Sequence, residues 1–81
     1  MLSKNEQFAF NSIKTYIACS AFPNVERIAV AMDWAKEFGA NNATERFGAG
    51  QPMFNTAINS LLEKGLITRN NKQSTTYYSV A

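Results

Sequence analysis

The side chains that usually carry chemistry at neutral pH are scarce in this chain. It has no histidine, one cysteine (Cys19) and one aspartate (Asp33), and the remaining acidic residues are glutamates spread along stretches of helical character. General acid–base catalysis near neutral pH is mostly done by histidine or by paired carboxylates with tuned pKa values. Neither is available, so no enzymatic activity is expected. A zinc site would have to be built from carboxylates, so neither a metal nor a small-molecule cofactor is expected. A lone cysteine allows no internal disulfide, and Cys19 is expected to be a small buried hydrophobe. What remains is uncharged hydrogen bonding from Gln51, Asn55, Thr56 and Asn59, followed by the cations Lys64, Arg69 and Lys72.

Those residues sit late in a chain whose elements can be read from their punctuation. Ser3-Lys4-Asn5-Glu6 is a capping box, and Ala9, Phe10, Ile13, Tyr16 and Ile17 follow at helical spacing, giving a first helix from about residue 4 to 19 that Phe22-Pro23 ends. Asn24 is read as the N-cap of a second helix whose stripe is Val25, Ile28, Ala29, Met32 and Ala35, with Phe38 and Gly39 closing it. Val30, Ala31 and Trp34 make a second apolar stripe on that helix, so it is expected to be buried on more than one side. Residues 39–50 hold three glycines and two asparagines and leave room for a helical turn or two. Gln51-Pro52 opens the next helix, with Phe54, Ala57, Ile58, Leu61 and Leu62 inward and Gly65 as its stop. After Gly65 the period becomes alternating. Residues 66–80 read as a hairpin whose polar turn is Asn70-Asn71-Lys72-Gln73-Ser74.

At 81 residues the chain is one domain, and 46% hydrophobic residues suit a globular fold. No stretch approaches a membrane span and the N-terminus is polar, so a cytoplasmic location and no membrane contact are expected. The net charge is +2 and the pI about 8.9. That excess is mild, but it leans toward the C-terminal end, where Lys64, Arg69 and Lys72 face only Glu63.

Leu61-Leu62-Glu63-Lys64-Gly65-Leu66-Ile67-Thr68-Arg69 resembles the end of the recognition helix and the first wing strand of bacterial winged helix-turn-helix regulators. Ala43-Thr-Glu-Arg-Phe-Gly48 is similar to the short helix and glycine turn that precede such a helix, and Tyr78 and Val80 fall where the returning strand places inward residues. The likeness spans residues 43–80. Thr44 departs from it, because a small apolar residue is usual there. A second register would use Trp34–Gly39 as the first helix of the motif, with 40–50 as a long turn. Either way the resemblance implies a mainly α fold with a small β-hairpin wing. Residues 1–39 would be N-terminal helices, 40–64 the helix-turn-helix with its recognition helix at 51–64, and 65–81 the wing.

The resemblance also implies a function, that of a small sequence-specific regulator of phage, plasmid or bacterial origin that binds double-stranded DNA. On a helix over 51–64, Asn55, Thr56, Asn59, Ser60 and Glu63 lie opposite the apolar side. Asparagine and glutamine can pair with adenine in the major groove, so Gln51, Asn55, Thr56 and Asn59 are the candidate base readers. Glu63 implies that the helix enters N-terminus first. Arg46, Lys64, Arg69, Asn70, Asn71 and Lys72 are the candidate backbone contacts. A homodimer is expected, through Phe8, Tyr16, Val30 and Trp34. The competing expectation is a winged-helix adaptor or inhibitor that binds another protein and no DNA.

Overall fold

The computed structural model describes residues 1–38 and 52–81, and the element order there is α1 (Lys4–Ala18), β1 (Val25–Glu26), α2 (Arg27–Phe38), α3 (Pro52–Glu63), β2 (Ile67–Lys72) and β3 (Thr75–Val80). The strands form an antiparallel sheet in the order β1-β3-β2. The described residues thus combine three helices with a three-stranded sheet, a more mixed architecture than a helical domain carrying a bare hairpin.

Helix α1 starts as its capping box requires: Ser3 Oγ accepts from the Glu6 amide at 3.2 Å, and Glu6 Oε1 accepts from the Ser3 amide at 2.7 Å. Cys19 caps its other end and is exposed, contrary to the expected buried hydrophobe. Helix α3 ends in a Schellman arrangement: the Leu66 amide donates to the Leu61 carbonyl and the Gly65 amide to the Leu62 carbonyl, each at 3.1 Å. Gly65 closes it with φ +73°, a conformation that glycine adopts without a Cβ penalty.

Two expectations about the second helix need correction. Asn24 does not cap it, because Val25 and Glu26 extend as β1, paired with Tyr78 and Tyr77, and α2 begins only at Arg27. Val25 is β-branched and buried at 7% exposure, so pairing on the sheet satisfies both its side chain and its backbone. The two apolar stripes are also not both covered. Val30, Ala31 and Trp34 are each 1% exposed, whereas Ile28 and Met32 are each 47% exposed.

The core gathers Ala9 and Ile13 from α1, the α2 stripe, Phe54, Ala57, Ile58 and Leu61 from α3, and Val25, Ile67 and Tyr78 from the sheet. Trp34 stands at its centre, edge-on to Phe54 at 5.4 Å between centroids and to Phe8 at 6.0 Å. Val30 and Trp34, expected at a dimer interface, are therefore core residues of the single chain. Phe8 is half-buried against Trp34 and Phe38, and Tyr16 stays 38% exposed. No helix among the described residues is long and apolar enough to cross a membrane.

Candidate nucleic-acid interface

Helix α3 lays Phe54, Ala57, Ile58 and Leu61 into the core, which fixes the direction of its other side chains at 100° per residue. Asn59 and Glu63 point directly outward and both are exposed. Thr56 is exposed beside them and borders a shallow groove of about 380 Å³ against the start of α1, shared with Ser3, Asn5, Met53 and Ser60. The outward face is thus uncharged over its first two turns and acidic at its end.

Asn55 differs from its neighbours. It is only half exposed, and its Oδ1 accepts a hydrogen bond from Arg27 Nη2. A bidentate contact to adenine needs both the amide oxygen and the amide nitrogen. One of the two lone pairs of that oxygen is engaged here, so Asn55 is tied to the start of α2 rather than standing free like Asn59. Gln51 and Arg46, also proposed as contacts, lie outside the described residues, as does the stretch 43–48 that carried part of the resemblance.

Lys64 is drawn to the opposite flank. Its Nζ pairs with Glu6 Oε2 at 2.8 Å, and Ser60 Oγ donates to the same oxygen. Glu6, expected only as the acidic member of the capping box, is 8% exposed and also bonds α1 to α3. Lys64, Ser60 and the Ser3 backbone and hydroxyl together hold its carboxyl far below the usual carboxylate range. Lys64 is therefore first a structural cation, although its side chain keeps 42% exposure.

The hairpin also rearranges the expected tip. Strand β2 runs through Lys72, so Asn70 and Asn71 are strand residues opposite Tyr77 and Thr76 rather than turn residues. The connection is Gln73-Ser74 alone, with φ of +49° and +68°. Residues directly opposite in an antiparallel pair share a face. Arg69 therefore shares the face of the buried Tyr78, and Asn71 that of Thr76, whose hydroxyl donates to Asn71 Oδ1 at 3.0 Å. Thr68, Asn70 and Lys72 project from the other side. The run 69–72 is thus split, with Arg69 on the side of the helices and Lys72 behind. Val80, paired with Ile67, is 43% exposed, so of the two residues expected inward only Tyr78 is buried.

Arg27 was not singled out from the sequence, where it is one cation within an acidic-leaning stretch. Its Nη1 donates to Tyr78 Oη at 2.7 Å, its Nη2 to Asn55, and its guanidinium carbon lies 5.1 Å from the Phe54 ring centroid. Only its position, opening α2 directly after β1 and beside β3, brings these partners together, and no spacing rule reveals that. Among the described residues, no three His, Cys, Asp or Glu side chains converge as metal ligands would. In comparisons with known proteins, no family model, no curated protein and no solved structure matches this chain.

Proposed function

We propose that the chain is a small, non-catalytic winged helix-turn-helix protein that binds double-stranded DNA sequence-specifically and regulates transcription. The observation that carries this reading is the exposed face of α3, uncharged over its first two turns, with Asn59 and Thr56 outward on a helix anchored by Phe54, Ile58 and Leu61, beside a hairpin bearing Arg69 on its helix side. The order of helices followed by a hairpin supports it. In this reading α3 enters the major groove N-terminus first, and Asn59 pairs with adenine while Thr56 meets a base edge or a thymine methyl. Arg69 and, from the far side, Lys72 contact the backbone. With Arg69 and Lys72 the cations that the described hairpin offers, non-specific affinity is modest and discrimination comes from the neutral face.

A second copy pairs through the exposed Ile28 and Met32 of α2, one turn apart on the same side, in a two-fold arrangement that sets two α3 helices on successive half-sites. The same half-exposed pair, beside the groove of about 420 Å³ that Ile28 and Ala31 form with Ser74, Thr75 and Thr76, is what favours the second reading, a protein-binding adaptor. Selection of bound sequences from random duplexes at fixed salt separates the two. Enrichment of a motif supports DNA binding, and no retention of any duplex at low salt supports the adaptor.

A further inference from the structure

The two flanks of α3 are held by different devices. Toward α1 the helix is tied by Ser60 and Lys64 to Glu6, near its C-terminal end. Toward the sheet its first turns are met by Arg27, which bonds Asn55 of α3 and Tyr78 of β3 and covers the Phe54 ring. A guanidinium is a flat fork with several donors at fixed angles, so it can bridge acceptors on two elements while lying over an aromatic face. Bonds from a charged donor are also shorter and stronger than neutral ones. A lysine ammonium also has several donors, but it lacks the planar fork that makes both bonds while lying over the ring.

Resting on the DNA-binding reading, we propose that Arg27 is a positioning residue that sets the orientation of the α3 reading face against the β2–β3 hairpin through Asn55 and the Tyr78 hydroxyl. Asn55 then serves specificity indirectly, as the anchor of its own helix. Asn59 is one turn further along the same helix and Arg69 is directly opposite Tyr78, so a rotation of α3 relative to β3 separates a base contact from a phosphate contact.

Tyr78 gives the clean probe because it is 0% exposed. Its hydroxyl can touch no duplex, so Tyr78→Phe acts on binding only through Arg27. Residual dipolar couplings of backbone amides are measured on the free protein for wild type, Tyr78→Phe, Arg27→Lys and Arg27→Met, and each is titrated with a preferred and a scrambled duplex. In Tyr78→Phe and Arg27→Met the couplings of 52–63 are expected to stop fitting the alignment of 67–80, with Arg27→Lys intermediate. The preference for the selected duplex falls about fivefold while the scrambled duplex binds within about twofold of wild type. Couplings unchanged in Tyr78→Phe overturn the proposal, as does a loss in Arg27→Met that is equal on both duplexes and absent in Tyr78→Phe, which makes Arg27 a phosphate contact. If wild type binds no duplex, the DNA reading fails while the couplings alone still decide whether Arg27 orients α3.

Discussion

The hairpin turn offers a perturbation whose size follows from two backbone angles. Gln73 and Ser74 connect β2 to β3 with φ of +49° and +68°, the pattern of a two-residue type I′ turn. Left-handed backbone costs a residue with a Cβ about 1–2 kcal/mol. Glycine removes that cost but loses more freedom on folding, worth about 0.5–1 kcal/mol. Asparagine tolerates the conformation better than glutamine. The double change Gln73→Asn with Ser74→Gly should therefore stabilise the fold by about 1 kcal/mol. Unfolding entropy near 2.1 cal/mol/K per residue over 81 residues turns that into a rise in Tm of about 6 °C. Thermal unfolding followed by circular dichroism, with urea titration as a check, reads it directly. Affinity for any duplex should hold or rise slightly, because a stiffer hairpin keeps Arg69 in place. An unchanged or lower Tm would refute the reasoning, since it would mean that the turn carries no left-handed strain to relieve.

The other expectations concern charge and assembly. Because Lys64 and Ser60 hold the Glu6 carboxyl far below its ordinary value, its contribution to stability is fully present above the unfolded value near pH 4.5 and is lost as pH falls further. Glu6→Gln should lower stability at pH 7 and weaken its dependence on pH below 4.5, as urea titrations across that range would measure. Arg69→Ala should weaken binding to all duplexes alike and flatten the salt slope by about one unit, and Lys72→Ala should do less, because Lys72 leaves the opposite face of the hairpin. Sedimentation equilibrium at micromolar concentration should give twice the chain mass, and Ile28→Glu with Met32→Glu should give a folded monomer, while Tyr16→Glu should leave the dimer intact.

The parts of the fold legible in the sequence were those with local punctuation. Ser3 and Glu6 located α1, Pro52 and Gly65 bounded α3, and the alternation after Gly65 located the hairpin. Strand β1 was not legible, because two residues have no period and Asn24 mimics a helix cap. In α2 the two stripes are equally apolar, so nothing local says that Val30 and Trp34 go inward while Ile28 and Met32 stay out. Asn70-Asn71 drew the predicted turn toward the start of the hairpin, whereas its strands pair on as far as Lys72 and Thr75. On α3, the outward position of Asn59 and Thr56 was readable from helix spacing. The engagement of Asn55 by Arg27 and of Lys64 by Glu6 was not, because each joins residues more than twenty positions apart.

Asn59→Ala tests the central claim most directly. Wild type and variant are titrated against the selected duplex and a scrambled one at several salt concentrations. The account predicts a loss of about 1–3 kcal/mol on the selected duplex, with scrambled binding and salt slope nearly unchanged. Equal affinity of variant and wild type for the selected duplex would contradict it, because α3 would then not be the element that reads the sequence.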